Sequence, residues 1–395
     1  MRSRRHPGEV LRTFARLGVT SFGGPVAHLG YFRDELVTRR RWVTEERYGE
    51  LVALCQVLPG PTSSQVGFAL GLVRGGPLGA AAAWLAFTLP SALLLVLLAA
   101  GAVSLDGAVA HGVMVGLKSV AVAVVAHAVW GMARTLTPDV RRILIACGAA
   151  ALALTLTGNV GQLAAIGLGV AAGVVVCRDL PGRAEAHALQ VVTRRVGLAS
   201  FGLFVTLLVG LPVLARLAPS VWTAVADAFY RAGALVLGGG HVVLPLLQAE
   251  PAVANAVPTG DVLAGYAAAQ AVPGPLFTFA AFLGYDMGAG AAAPWTALVA
   301  LVAVFLPGIL MLLAALPYWE SLRRRTGVRA AVAGASAAVV GILAAALWDP
   351  ILTSTVTGVV PGVIAAVCLA LLTVAKAPPW AVVLAGAVAG ALFAR

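Results

Sequence analysis

Two short runs contain backbone that a membrane helix has little use for. The first, SFGGP, ends in Gly23, Gly24 and Pro25; the second, QVLPGP, runs from Gln56 through Val57 and Leu58 to Pro59, Gly60 and Pro61. Glycine and proline are poor residues for a helix interior, so each run breaks a helix. Proline suits the first helical position, where its missing N–H has no intrahelical partner, so Pro25 and Pro61 are expected to begin half-helices. A half-helix start left near the middle of a bilayer presents unpaired N–H groups and the positive end of the helix dipole, roughly half a positive charge. That chemistry suits an anion. Thr62, Ser63 and Ser64 follow the second break at once and add hydroxyl donors, and Gln56 adds an amide. The bland alternative is that these runs only kink helices or let them pack closely.

Ionisable residues within apolar stretches are the next candidates, because each is costly unless it faces a partner or a cavity. Lys118 lies midway along the apolar stretch 107–133. It reads either as an anion counter-charge or proton site, or as a snorkelling or paired lysine. Arg16 precedes the first break by two helical turns, and Arg231 holds the equivalent place later in the chain. Arginine matches an oxyanion bidentately, but a salt bridge to Glu50 or Asp34, or a lipid headgroup, is the preferred reading for both. His28 and His241 flank first breaks without aligning, and His127 reads as interfacial. The four cysteines have no metal or redox spacing and read as small core residues.

The elements that must position these groups follow from composition. Of the 395 residues, 60% are hydrophobic and 11% charged, and the mean hydropathy is +0.95. That excludes an ordinary soluble domain and gives an all-α polytopic membrane protein. The net charge of +11 comes almost entirely from arginines in short clusters between apolar segments, so it reports topology and not nucleic-acid binding. Apolar stretches of spanning length fall at 77–103, 107–133, 142–157, 160–177 and 196–217. The pieces around the breaks, each about 13 to 15 residues, are too short to cross and fit re-entrant or broken hairpins.

The pattern then begins again. FARLGVTSFGGP lies over FYRAGALVLGGG, which ends in Gly238, Gly239 and Gly240; QVLPGP lies over QAVPGP, from Gln270 to Pro273, Gly274 and Pro275. AFTLPS lies over VFLPG, Gly116 over Gly334 and Trp130 over Trp348, at a displacement of about 215 residues throughout. Thr278 is the nearest second-half counterpart of the hydroxyl run. This gives a first repeat at 1–178, a cytoplasmic linker and connecting transmembrane helix at 179–218, and a second repeat at 219–395. Arginine clusters alternate with neutral or acidic loops so that the second repeat is inverted, with a cytoplasmic N-terminus and the C-terminus outside. Four helix starts would then converge on one point.

A Phe-Gly-Gly-Pro run, an LPGP run after a short charged helix, and weaker copies GGG and VPGP in a second half resemble the chromate ion transporter family in its long two-domain form. The resemblance covers almost the whole chain, although Gly240 stands where the second copy would have proline. It implies export of chromate, with sulfate as a similar oxyanion, across a bacterial-type plasma membrane, and chromate resistance as the outcome. Expected partners are the oxyanion, the bilayer and, as an option, a second copy in a homodimer; no nucleic acid, cofactor or metal is implied. An alternating-access carrier is the leading reading and an anion channel the next. A membrane-embedded enzyme has few candidate residues, because HExxH, GxSxG and the GxxxxGKS phosphate loop are all missing from the sequence.

Overall fold

The computed structural model describes residues 6–22, 24–102, 108–156, 158–178, 192–237, 242–319, 321 and 325–393. All elements among them are helical. The first seven helices are α1 (Pro7–Thr20), α2 (Gly24–Phe32), α3 (Glu45–Val57), α4 (Thr62–Ala102), α5 (Ala108–Leu136), α6 (Val140–Thr155) and α7 (Gly158–Val176). A single helix, α8 (Arg194–Leu217), follows. The order then recurs as α9 (Val221–Leu235), α10 (Val243–Gln248), α11 (Thr259–Ala271), α12 (Phe279–Met287), α13 (Ala293–Ala315), α14 (Thr326–Ala346), α15 (Val359–Thr373) and α16 (Pro379–Phe393). Local chemistry sets several starts: Pro7 opens α1, while the side chains of Thr44, Asp139, Thr193 and Ser220 accept from first-turn N–H groups.

Among the described residues five helical stretches are long and apolar enough to cross a membrane, and four shorter ones are also apolar. The chain is an all-α polytopic membrane protein. The longest stretch, α4, is in fact a hairpin. Gly76 has φ 66° and ψ −158°, and a methyl group on Gly71 would meet the Gly79 carbonyl. In a straight helix, residues eight apart are about 12 Å apart along the axis, so the chain must double back at Gly76. α12 and α13 form the matching hairpin, with Gly284 against Ala297 and Ala300. The limbs next to the breaks are short: α2 has 9 residues, α3 13 and α11 13. At 1.5 Å per residue they reach about 20 Å at most, less than a hydrocarbon layer.

Two kinds of packing build the molecule. Within each half the first helix lies on the long limb, α1 on α4 and α9 on α13, with Gly18 against Ala86 and Phe87, and Gly233 against Val304 and Pro307. The later helices are instead exchanged. α5 packs between α15 and α16 of the second half, and α14 between α6 and α7 of the first. Small residues make the exchange close: Gly112 and Gly116 meet Gly390 and Gly386, while Gly169 and Gly173 meet Gly334 and Ala330. Spacings of four residues put each pair on one helix face, the usual arrangement for close contact in a membrane. The result is a six-helix bundle of α5–α7 and α14–α16 beside a second bundle of α1–α4 and α9–α13, with α11 touching both. The two sequence halves are therefore interlocked. α8 lies outermost, against α9 and α13, and shows Leu198, Phe201 and Val209 outward as a lipid-facing helix would.

A large side chain at an exchanged contact should strain the molecule, since backbone would have to move. Gly116→Leu is expected to cost about 1–3 kcal/mol and to lower the melting temperature in detergent. Gly202→Leu on α8, where nothing lies within 4 Å, should leave melting nearly unchanged.

Candidate functional site

The two Pro-Gly-Pro breaks lie against the opposite halves. The Gly60 N–H donates to the Val236 carbonyl at 2.8 Å, and the Gly274 N–H donates to the Ser21 carbonyl at 3.0 Å. Ser21 ends α1 and Val236 ends α9, so each break closes the first helix of the other copy. Gly60 has φ 111° and Gly274 φ 110°, a region closed to most L-residues. Space is also missing: a Cβ on Gly60 would lie 2.7 Å from Gly308 Cα, and one on Gly274 2.7 Å from Ser91 Oγ. Gln65 adds a second link between the halves, its amide nitrogen donating to Pro59 O at 2.9 Å and to Gly308 O at 2.8 Å.

Pro61 stands one place before α4 and accepts the first intrahelical bond, from Gln65 N at 2.9 Å. The N–H groups of Thr62, Ser63 and Ser64 precede that bond and have no helical acceptor. Pro25 is instead the second residue of its helix, which begins at Gly24. His28 is fully buried, with Nε2 3.2 Å from the Ser21 carbonyl and Nδ1 3.3 Å from Ser63 Oγ. A carbonyl can only accept, so Nε2 carries the proton and a neutral ring takes the Ser63 hydroxyl proton at Nδ1. The ring of Phe87 meets His28 edge-on at 5.2 Å. Around this crossing several buried polar atoms have no protein partner: Ser21 Oγ, Ser64 Oγ, Gln65 Oε1, Thr88 Oγ1 and Gln270 Nε2. Buried polar groups are ordinarily paired, so such a cluster is a place for a polar guest. Among the described residues no group of His, Cys, Asp and Glu is arranged to hold a metal ion.

This geometry can be set beside known proteins. The family model described as "Chromate transporter" matches residues 8–175 and again 223–391. The chain belongs to the chromate transporter family. Among its relatives, the "Chromate transport protein" of Pseudomonas aeruginosa is 28% identical over 354 residues, spanning 86% of this chain and 80% of that one. The "Probable chromate transport protein" of Synechococcus elongatus is 30% identical over 355 residues, spanning 87% and 85%. No solved structure matches the chain.

Not every residue singled out from sequence sits at the crossing of this transporter. Gly24, Pro59, Gly60, Pro61, Ser63, Ser64, Gln270, Pro273, Gly274, Pro275 and Thr278 lie at or next to the breaks. Gly23, Gly238, Gly239, Gly240 and His241 lie outside the described residues. Thr62 is half-buried and turns its hydroxyl back to Cys55 O at 3.5 Å, while the Thr278 hydroxyl donates to Pro275 O at 2.7 Å. The two glutamines are not equivalent, since Gln56 is exposed and Gln270 is buried. Lys118 lies elsewhere, its ammonium against Gly260 at the far end of α11. Thirteen residues of helix, about 20 Å, separate that point from the break at Pro273. Arg231 is held by Glu250 at 2.6 Å and Asp227 at 3.1 Å. Arg16 is exposed and makes no ion pair among the described residues. Sequence reasoning did not pick out Ser21, Gln65, Thr88 and Ser91. Ser21 opens the SFGGP run and Ser91 closes AFTLPS, so their place beside the breaks was a usable signal; the Gln65 contact joins residues 243 apart and left none.

Gly60→Ala and Gly274→Ala should each cost about 2 kcal/mol or more, from the positive φ and the overlap together. Gln65→Leu removes the donor shared by the Pro59 and Gly308 carbonyls and should cost about 1–3 kcal/mol. Melting of the purified protein in detergent, compared with wild type, measures all three.

Proposed function

We propose that this chain carries chromate, or a related oxyanion such as sulfate, out of the cytoplasm, binding it at the crossing of the broken helices. The observation that supports this most is the cluster of buried, unpartnered polar atoms at the start of a half-helix inside an apolar protein. Free hydroxyls on Ser21, Ser64 and Thr88, the Gln270 amide and the first-turn N–H groups all can donate to an anion, and the helix dipole favours its charge. The relatives named for chromate transport supply the substrate.

The orientation follows from charge. Arg40 and Arg74 pair with Glu9, Arg40 and Arg39 with Glu35, and Arg33 with Glu45. This arginine-rich end of α1 and of the α4 hairpin is the cytoplasmic face in our reading, with the second copy inverted in a bacterial-type plasma membrane. The exchanged helices bear on how access alternates. Because α5 and α14 are each held by the opposite half, a sequence half does not move as a body; the broken-helix bundle shifts against the six-helix bundle.

Of the cations singled out from sequence, Lys118 is engaged elsewhere beside Gly260 and Arg231 with Glu250 and Asp227, so in our reading the bound anion keeps its charge. Moving an uncompensated dianion outward across a negative-inside potential of 100 mV is favourable by about 4.6 kcal/mol. Export is therefore electrogenic and driven by the membrane potential. In proteoliposomes with an imposed potassium diffusion potential, chromate flux should rise as the side of origin becomes more negative, and sulfate should compete. Flux indifferent to potential would remove the electrogenic reading, and absence of any oxyanion flux would remove the transport reading.

A further inference from the structure

The two copies of the crossing share a backbone plan and, among the described residues, differ in polarity at several buried positions. In the first copy the buried positions are Ser21, His28, Ser63, Gln65 and Ser91. Aligned on the repeated motifs, at displacements of 214 to 217 residues, their equivalents in the second copy are Val236, Val243, Phe277, Phe279 and Gly308, all buried as well. Of the first set Ser21 Oγ and Gln65 Oε1 have no protein partner; burying such a group costs free energy, and the apolar residues at the equivalent positions avoid that cost where nothing polar has to bind. The helix starts differ too. In the first copy Pro61 leads directly into the 14 residues from Thr62 to Gly75, whereas Pro275 leads into a single 3-10 turn of 3 residues, Leu276–Thr278. The one hydroxyl of that turn, on Thr278, is spent on Pro275 O. In contrast Ser64, at the same place in the first copy, is 4% exposed and has no partner for its hydroxyl.

We infer that each chain binds one oxyanion, in a pocket that the first copy builds from the start of α4, Ser64, Ser21 and Thr88, and to which the second copy, among the described residues, lends Gln270. The second copy's own crossing is structural. Thr88 belongs to the pocket because it shares a helix face with Ser91, one turn on, whose hydroxyl lies against Gly274. His28 fixes the pocket's floor: it joins the end of α1 to the start of α4, and the carbonyl it bonds is the one that also holds Gly274. The lining is neutral, so the guest is recognised by acceptor oxygens on several sides, which a tetrahedral dianion presents and a halide does not.

This inference rests on the transport reading above, and the test keeps the two apart. Purified wild-type chain, titrated with labelled chromate by equilibrium dialysis, is expected to bind one anion per chain, with sulfate displacing it and chloride not. Ser64→Ala and Thr88→Val should each raise the Kd by about tenfold or more, as loss of a hydrogen bond to a charged ligand does. Their melting without ligand should stay near wild type, because neither hydroxyl has a protein partner to lose. Two equivalent anions per chain, or wild-type affinity in both variants, would overturn the one-pocket assignment and leave transport standing. A wild-type chain that binds no oxyanion would overturn both. The stoichiometry needs no variant, so the question remains decidable even if a substituted chain fails to fold.

Discussion

Backbone that breaks inside a membrane must find its hydrogen bonds within the protein, and that requirement organises this chain. Each Pro-Gly-Pro run frees N–H and carbonyl groups where no water is available to take them. Here the breaks satisfy one another across the two copies: Gly60 closes on Val236 and Gly274 on Ser21. The reciprocity explains why glycine stands at both positions, since each has a positive φ and each meets backbone or a hydroxyl of the opposite half. It also explains why the halves cannot simply separate. Pulling them apart would expose two pairs of backbone groups to hydrocarbon and break the bond from Gln65 to the Gly308 carbonyl.

The exchanged helices extend the same interlocking outward by different means. In lipid, apolar side chains gain little by leaving the bilayer for a neighbour, so close packing of small residues has to bring helices together. Gly112, Gly116, Gly386 and Gly390 form one such contact, and Gly169, Gly173, Ala330 and Gly334 form its counterpart. Polar bonds thus lock the centre and glycine faces lock the periphery. A frame of six helices stands beside a body that carries the breaks, a division that the linear order of the chain conceals.

Repetition of the backbone did not bring repetition of the chemistry. Once a fold carries two equivalent crossings, both must satisfy their main chain, yet only one has to hold a guest. The polar set around Ser63 and Ser64 and the apolar set around Phe277 and Phe279 fit that division. The charged residues follow it as well. Arg231 is bound up with Asp227 and Glu250, and Lys118 rests beside Gly260, so neither supplies a charge at the centre.

The membrane class, the apolar segments of the first half, and the Pro-Gly-Pro breaks with their recurrence about 215 residues later were legible in the sequence. They depend on local rules: apolar length sets a span, and glycine or proline ends a helix wherever it occurs. The glycines and prolines of QVLPGP and QAVPGP therefore pointed to the crossing directly. What the tertiary structure alone decided was partnership. Nothing near Gly60 in the chain says that Val236 will accept its proton, or that Gln65 will reach Gly308. Nothing in a glycine-rich face says whether its match lies in the same half or the other. Gln56 and Gln270 look alike in sequence, and only packing exposes one and buries the other. Local composition fixes where a chain must break, whereas the bonds that repair the break are made between residues that only the fold brings together.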